Sequence, residues 1–397
     1  MEQVSHRLAA LSESSTIAMN QKSKDLQAKG IDVINLTVGE PDFFTPDHIK
    51  EAAKKAVDMN FSFYSPVAGY PELLDAISKK LKRENNLDYA PNQIIVSNGA
   101  KHSIANALLA LINKGDEVIV PAPYWVSYAE LVKLAEGTNI IIDTTVEQDF
   151  KISPAQLEKA ITPKTKALMI CSPSNPTGSV YTKPELKALV DVLMKHPGIF
   201  IISDEIYEHI NFIGGHQSIA QFPEIKDRVI LVNGVSKAYA MTGYRIGYMA
   251  AAAWITKACN KLQGQMTTNA STIAQRAAIT ALNSGPEITE KFRIAFEKRK
   301  DMVYDAITKI KGIKCNKPDG AFYVFPDVSS FYGKSAQGMT IKNSDDMSFY
   351  LLDKAYIATV PGSGFGNDKC VRISFATSDE KLEIALNRLK EALDALK

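Results

Sequence analysis

Short apolar runs alternate with amphipathic stretches from about residue 94 to residue 233. The apolar runs are rich in β-branched residues and read IIV, EVIV, IIID, ALMIC, IFIIS and VILV. Stretches with apolar residues at helical spacing separate several of them, namely KHSIANALLALIN, SPAQLEKAI and KPELKALVDVLMK. Strands that alternate with helices are typical of a mainly parallel sheet covered by helices. The pattern therefore predicts an α/β core.

The pattern changes after Gly285-Pro286. A long charged helical stretch, ITEKFRIAFEKRKDMVYDAITKI, leads into the short strand patterns AFYVF and VRISF, and the chain ends in the helical pattern DEKLEIALNRLKEALDALK. The first 45 residues include the turn-rich LTVGEPDFFTP and are too short for a domain of their own. We therefore expect a large domain over 46–285 and a smaller α+β domain made of 1–45 and 286–397.

Composition supports two domains and limits the possible partners. A chain of 397 residues with 45% hydrophobic content can bury large cores. The net charge of +2 creates no overall field for nucleic acid or an anionic membrane. The most apolar longer window, AMTGYRIGYMAAAAW, has Arg245 near its middle, which argues against a membrane span. We expect small-molecule substrates, with no nucleic acid and no membrane as a partner.

Cysteine usage and the N-terminal stretch favour a cytoplasmic protein. The four cysteines lie far apart, without the CxxC pairs of a zinc site and without the density of a disulfide scaffold. The stretch MEQVSHRLAALSESS is charged and lacks the apolar core of a signal peptide. The six histidines form no HExxH motif, so no metal is expected, and His209 is expected in a helix.

Polar and charged residues follow four of the predicted strands. SNGAK comes after IIV, SPSNPTG after ALMIC, DEIY after IFIIS and NGVSK after VILV. In open α/β sheets, ligands bind beyond the carboxyl ends of the strands. These four strand ends would bring one set of residues to a single crevice: Gly99, Lys101, Asn175, Asp204, Tyr207, Ser236 and Lys237.

Lys237 is the residue in this set with the most distinctive chemistry. Burial and the nearby Arg245 would lower the pKa of its amine and make it nucleophilic. Such lysines form Schiff bases with carbonyl compounds, including pyridoxal phosphate. The alternative is a surface lysine whose stem packs on the sheet, which is the commoner situation for a lysine considered alone.

Several motifs together resemble the class I aminotransferases among the fold-type I pyridoxal-phosphate enzymes, and most closely the bacterial branch of aspartate aminotransferases. In chain order they are LTVGEPDFFTP, YSPVAGYPEL, APYWVSY, SPSNPTG, SDEIYEHI, SKAYAMTGYRIGY and VRISFATS. The resemblance implies a large domain with a mainly parallel seven-stranded sheet. It also implies bound pyridoxal 5′-phosphate, a homodimer with shared active sites, and ping-pong transfer of an amino group from aspartate to 2-oxoglutarate.

The resemblance also implies a role for each cofactor-binding residue. Lys237 would hold the cofactor aldehyde and act as the base, and Asp204 would keep the ring nitrogen protonated. Tyr207 and Asn175 would bind the ring oxygen, and Trp125 would stack on the ring. The phosphate would be held by Gly99, Ala100, Lys101, Ser236, Arg245 and, from the other subunit, Tyr64. Read locally, Asp204 is also a possible helix N-cap and Asn175 a turn residue.

Arg372 resembles the arginine that binds the substrate α-carboxylate, assisted by the backbone N–H of Gly39, with Trp125 and Asn175 beside the substrate. Lys101 aligns with a lysine that receives a side-chain carboxylate, and Ser15 and Thr16 are possible minor contributors. An acidic donor is therefore expected. Glutamate, aromatic amino acids and prephenate stay open as substrates. A lyase on the same fold, a regulatory module without turnover and a plain interaction protein are competing interpretations.

Overall fold

Thirteen α-helices and fourteen β-strands lie within residues 4–397, which are the residues that this computed structural model describes. The helices are α1 (His6–Ala9), α2 (Ser15–Ala28), α3 (Asp47–Asp58), α4 (Pro71–Asn85), α5 (Ala100–Leu111), α6 (Ser127–Leu134), α7 (Pro154–Ala160), α8 (Lys183–Met194), α9 (Ala253–Met266), α10 (Thr272–Leu282), α11 (Glu287–Thr308), α12 (Ser344–Ala355) and α13 (Asp379–Asp394). The strands are β1 (Ile34–Asn35), β2 (Ile94–Asn98), β3 (Glu117–Ala122), β4 (Thr138–Asp143), β5 (Thr165–Cys171), β6 (Phe200–Asp204), β7 (Val229–Gly234), β8 (Ile246–Ala250), β9 (Tyr323–Val324), β10 (Ser335–Ala336), β11 (Met339–Thr340), β12 (Ile357–Ala358), β13 (Val360–Pro361) and β14 (Val371–Ser374).

Seven strands form one sheet in the order β2-β8-β7-β6-β5-β3-β4. The pairs from β7 across to β4 are parallel, whereas β8 runs antiparallel to both β2 and β7. This confirms the mainly parallel seven-stranded sheet. The hydrophobic pattern locates six of these strands. It misses β8, because the segment IGYMA lies inside the longer apolar window AMTGYRIGYMAAAAW and does not stand out as a short run.

The two faces of this sheet bury separate hydrophobic cores because successive side chains along a strand point in opposite directions. Val96 and Ile119 pack with helices on one face, whereas their neighbours Ile95 and Val118 pack on the other. All four side chains are fully buried. Burial on both faces explains why the strands read as continuous apolar runs.

Helices α7 and α8 begin at capping boxes that the sequence encodes. Ser153 and Thr182 each accept a hydrogen bond from a backbone N–H three residues later, and the side chains of Gln156 and Glu185 accept from the cap residues' own N–H groups. A proline at N1 or N2 adds a fixed φ. These starts place both helices against the sheet.

The C-terminal part forms a third core around α11, α12 and α13 and the antiparallel sheet β13-β14-β9. Strand β1 pairs in parallel with β12, and Ile206 and Tyr207 also pack into this core. The domain division at 45/46 and 285/286 stays a prediction, and it includes residues 1–3, which lie outside the described residues. No helix within residues 4–397 is long and apolar enough to cross a membrane.

One local expectation is wrong. His209 lies in the turn that follows β6, not in a helix. The backbone of this segment is hydrogen-bonded as successive tight turns, Glu208 N–H to Glu205 O and Ile210 N–H to Tyr207 O. These turns fix the direction of the side chains between Asp204 and His209.

Candidate active site

A cavity of about 260 Å³ lies at the carboxyl ends of β5, β6 and β7 and beside the start of α5. Eleven of the thirteen predicted site residues line it: Gly39, Ala100, Lys101, Trp125, Asn175, Asp204, Tyr207, Ser236, Lys237, Arg245 and Arg372. The strand-end argument therefore brings together residues that are far apart in the sequence. The cavity also receives Arg372 from the C-terminal part of the chain.

Lys237 lies in the turn after β7, and its amine donates a hydrogen bond to the carbonyl of Gly39. Burial lowers the pKa of Lys237 to about 8, and the positive charges of Arg245 and Arg372 act in the same direction. Glu40 and Asp204 oppose this shift. The amine is therefore neutral, and nucleophilic, at a pH where an ordinary lysine is charged.

Asp204 is the last residue of β6, and its carboxylate is buried. Its Oδ2 accepts a hydrogen bond of 2.6 Å from the Tyr128 hydroxyl, and its Oδ1 accepts one of 3.2 Å from the backbone N–H of Ile206. Burial raises the pKa of Asp204 to about 6, and the nearby Glu205 adds to this, whereas the two hydrogen bonds and Lys237 favour the charged form. Asp204 can therefore carry a charge or hold a proton near neutral pH.

Arg372, on β14, is 1% exposed and has no carboxylate within 4.0 Å among residues 4–397. Its Nη1 donates to Asn175 Oδ1 over 3.0 Å, and its Nη2 donates to the carbonyl of Thr37. Its buried Nε has no hydrogen-bond partner in the described chain. A buried guanidinium without an acidic partner is costly. This arrangement fits an anion that enters the cavity.

Tyr207 and Tyr323 contribute two buried hydroxyl groups that lie 2.9 Å apart. Burial, and then Tyr323, raise the pKa of Tyr207 well above its ordinary value, so the hydroxyl is a hydrogen-bond donor rather than an anion. The Tyr323 ring also lies 4.6 Å from the Arg372 guanidinium carbon. Tyr207 is therefore fixed by a residue of the C-terminal part.

Arg245 and the start of α5 form a cationic cradle. Gly99 precedes α5 with φ at +86°, and Arg245 itself is in the left-handed region with φ at +57°. The guanidinium donates to the carbonyls of Thr242 (3.0 Å) and Asn98 (3.3 Å). A Cβ on Gly99 would collide with the guanidinium. Free N–H groups at a helix start beside an arginine fit a phosphate group.

Comparison with known proteins decides the family. The model of aminotransferase class I and II matches residues 31–389. A probable aspartate/prephenate aminotransferase of Rhizobium leguminosarum bv. phaseoli is 48% identical over 394 residues, covering 98% of each chain. The chain belongs to the class I and II aminotransferases.

Solved structures agree with this assignment. The aspartate aminotransferase from Rhizobium meliloti superimposes on this aminotransferase with a TM-score of 0.96 at 39% identity, covering 100% of both chains. The aspartate aminotransferase from Thermus thermophilus, solved with maleate, has a TM-score of 0.92 at 40% identity, covering 99% of this chain and 100% of that one. The fold is therefore fold type I, and the protein is an enzyme.

Two predicted residues of this aminotransferase lie outside the cavity lining. Gly99 packs against the Arg245 guanidinium, and Tyr64 is 89% exposed. Of the two minor candidates, Thr16 lines the cavity, whereas Ser15 packs against Gly364. The structure places the carbonyl of Gly39 against Lys237, and the role of its N–H stays a prediction.

Two tyrosines of the cavity, Tyr128 and Tyr323, are not predicted from the sequence. Tyr128 follows Trp125 by three residues, which is one helical turn, and its ring meets Trp125 at 5.5 Å between centroids. That spacing is a weak signal for a second cavity residue. Tyr323 gives no signal, because AFYVF reads as an ordinary core strand.

Proposed function

We propose that this aminotransferase binds pyridoxal 5′-phosphate at Lys237 and transfers the amino group of L-aspartate to 2-oxoglutarate. One observation carries the proposal. A partly buried lysine amine with a lowered pKa, a buried carboxylate and a buried guanidinium without an acidic partner line the same cavity. These three groups suit a carbonyl, a ring nitrogen and a substrate carboxylate.

The residues present fit the cofactor at each of its polar groups. Lys237 would bind the aldehyde carbon, Asp204 the protonated ring nitrogen, and Tyr207 and Asn175 the ring oxygen. Ser236, Arg245 and the N–H groups of residues 99–101 would hold the phosphate, with Trp125 on the ring face. When bound, pyridoxal phosphate supplies an electron sink for the pair left at Cα after the proton departs.

Each catalytic task then falls to a residue of this chain. Lys237 Nζ takes the proton from the Cα of the amino acid, and its pKa of about 8 makes it a base near neutral pH. Asp204 holds the proton on the ring nitrogen. Arg372 binds the α-carboxylate through two N–H groups, with the N–H of Gly39 beside it, and so fixes the orientation of the Cα–H bond.

Reductive trapping tests the attachment. Borohydride treatment of the protein loaded with pyridoxal phosphate, followed by peptide mapping, is expected to find the reduced adduct on Lys237 alone. A Lys257→Ala variant, which changes an exposed lysine, should give the same map. An adduct on another lysine, or no adduct, would contradict the proposal.

Lys101 carries the proposed preference for an acidic donor. Its ammonium lies 4.8 Å from the Trp125 ring at the cavity, and burial and the charge of Arg245 lower its pKa. The Thermus thermophilus relative was solved with maleate, a dicarboxylate, which supports an acidic substrate here. The name of the Rhizobium leguminosarum relative makes prephenate the second candidate, as an acceptor.

A Lys101→Ala variant is expected to raise KM for aspartate about tenfold to a hundredfold, because a hydrogen bond between charged groups contributes about 1.5–3 kcal/mol. Activity with aromatic donors should change much less. Steady-state kinetics with a panel of donors, and with 2-oxoglutarate or prephenate as acceptor, measures this. Lys114→Ala, at an exposed lysine outside the cavity, is the control. An equal loss for every donor would reject the assignment.

We also propose a homodimer in the cytoplasm, with domains over 46–285 and over 1–45 plus 286–397. Exposure of the neighbouring rings of Phe63 (79%) and Tyr64 (89%) supports a second copy over this surface. The four cysteines are unpaired, which suits a reducing compartment.

A further inference from the structure

The turn after β6 presents side chains to two different cavities. Asp204 and Tyr207 line the candidate active site. Glu208 and His209 line a second cavity of about 550 Å³, together with His216. Asp204, Tyr207, Glu208 and His209 therefore belong to one six-residue segment, 204–209, and His216 joins the second cavity from farther along the chain.

The side chains behind Asp204 form a buried ionic network. Glu205 is 1% exposed, and its carboxylate lies 2.8 Å from His216 Nε2 and accepts from the hydroxyls of Ser203 (2.9 Å) and Ser218 (2.7 Å). Glu208 contacts the buried ammonium of Lys80 and accepts from Asn85 Nδ2 over 2.7 Å. Each oxygen of these two carboxylates thus has at least one polar partner.

Lysine and arginine side chains pair with Glu84 and Glu208 in this network, whereas Glu205 has only a histidine beside it. Three carboxylates, those of Glu84, Glu205 and Glu208, lie in this network. Glu84 contacts Arg83, Lys80 and His209, and Glu208 contacts Lys80 and His209. Within residues 4–397, His216 is the one cationic or imidazole group within 4.0 Å of the Glu205 carboxylate. A buried carboxylate without a compensating charge is strongly unfavourable. His216 is the group that can compensate Glu205, because its side chain is only 6% exposed and it contacts that carboxylate directly.

The electrostatics of His216 favour its charged form. Burial opposes the charge, but Glu205 and then Glu208 outweigh burial and raise the pKa of His216, while the more distant Lys80 opposes them. A metal ion could use the same atoms, since ligand atoms of Glu205, Glu208 and His216 lie within 4.8 Å of one another. However, the Lys80 ammonium already contacts Glu208 and would repel it. We therefore assign the compensating positive charge to a proton on His216 rather than to a metal ion.

We propose that His216, as an imidazolium paired with Glu205, is a positioning residue that keeps the neighbouring Asp204 ionised and directed at the cofactor site. Asp204 and Glu205 are adjacent buried carboxylates, so an uncompensated Glu205 makes the charge on Asp204 less favourable. The positive charge of His216 offsets this unfavourable effect of Glu205 on the charged form of Asp204. The inference rests on the proposed role of Asp204.

The test uses the affinity of the apoprotein for pyridoxal phosphate, measured by titration from pH 5.5 to pH 8.5. The affinity of the wild-type apoprotein for pyridoxal phosphate is expected to fall toward low pH, because Asp204 takes up a proton. In H216Q, which keeps a hydrogen-bond donor but loses the charge, this fall should move to higher pH by about half a unit, or about threefold in affinity. The double variant E205Q/H216Q should return to the wild-type profile. H196Q, at a solvent-accessible histidine 3.5 Å from Glu158, is the control.

Two measurements on the apoprotein do not need the cofactor. The NMR titration of His216 should give a pKa above about 6.5. Because this pKa is raised by folding, the ion pair contributes stability that is complete below about pH 6.5 and is lost as pH rises through the folded pKa. The Tm of the wild-type protein should therefore fall as pH rises through the folded pKa of His216, whereas the Tm of H216Q should not show this fall.

An ordinary or lowered pKa of His216 would overturn the proposal, and this holds even if H216Q fails to fold. A changed Tm profile with an unchanged cofactor profile would leave only a structural ion pair and would also overturn it. If the wild-type protein does not bind pyridoxal phosphate, the proposed function fails instead, and the His216 titration still reports on the ion pair.

Discussion

Tyr128 controls the ionisation of Asp204 from the active-site side. Its hydroxyl donates the 2.6 Å hydrogen bond to Oδ2, and this bond favours the carboxylate against the effect of burial. In Tyr128→Phe the bond is lost, so the pKa of Asp204 should rise above about 6. The acid-side fall in affinity for pyridoxal phosphate should then move to higher pH by about one unit, equivalent to 1.36 kcal/mol.

Tyr181→Phe is the matched control for this prediction. Tyr181 is a buried tyrosine that does not line the active-site cavity, and its hydroxyl accepts a hydrogen bond of 2.9 Å from the Ile152 N–H. Both variants should lose similar stability, measured by denaturant unfolding, but only Tyr128→Phe should change the pH profile. Identical profiles for the two variants would argue against a role of Tyr128 at Asp204.

For single residues, the sequence predicts which side chains lie at the site better than it predicts which side chains contact them. Lys237, Asp204 and Asn175 are predictable because strand ends in an α/β sheet share one edge. The hydrogen-bond partners of site residues are not predictable in this way, because Tyr128 lies 76 residues from Asp204 and Tyr323 lies 116 residues from Tyr207. Such pairs depend on how helices and strands pack, and no local pattern encodes them.

Among the elements, the start of α5 is the most sensitive to sequence. Gly99 has positive φ and no room for a Cβ beside the Arg245 guanidinium. Gly99→Ala should displace this guanidinium from its position over the helix start. We expect the dissociation constant for pyridoxal phosphate to rise about tenfold or more, which corresponds to the loss of one charged hydrogen bond. Equilibrium titration measures it.

Gly115→Ala separates this effect from backbone strain. Gly115 also has positive φ, at +95°, but no atom lies within 4 Å of the position of a Cβ. Both substitutions should destabilise the fold by about 1 kcal/mol or more through strain. Only Gly99→Ala should weaken cofactor binding, and equal binding by both variants would contradict the proposed phosphate site.

Elements are predictable where a repeating pattern marks them. Six strands follow from short apolar runs, and the starts of α7 and α8 follow from local hydrogen-bonding residues. Strand β8 and the turn that carries His209 do not follow. Strand β8 forms by pairing with β2 and β7, and the segment with His209 consists of successive tight turns after β6. Neither gives a periodic pattern in the sequence.

For the whole molecule, the proposed homodimer makes a prediction through Tyr64. If Tyr64 reaches the active site of a second copy, then Lys237→Ala and Tyr64→Ala affect different chains of the same site. A hybrid of the two variants would contain one site with both defects and one intact site. Mixing them under conditions that exchange subunits should restore activity to about half the wild-type value when every dimer is a hybrid.

Sedimentation should show a particle of two chains before and after mixing. A mixture of Lys237→Ala with a second Lys237→Ala preparation should stay inactive, which controls for the handling of the samples. Failure of the Lys237→Ala and Tyr64→Ala mixture to gain activity, despite exchange of subunits, would place Tyr64 outside the site.

The segment 37–45 links the N-terminal stretch to the reaction centre. Thr37 accepts from Arg372, Gly39 accepts from Lys237, Glu40 accepts from Thr242 over 2.8 Å, and Thr45 donates to Ala240 over 2.6 Å. An imine formed at Lys237, as proposed, would leave this nitrogen with at most one hydrogen, whereas the free ammonium has three donors. Binding of the proposed cofactor should therefore weaken the contact between Lys237 and Gly39, and segment 37–45 should then be held mainly through Thr37, Glu40 and Thr45.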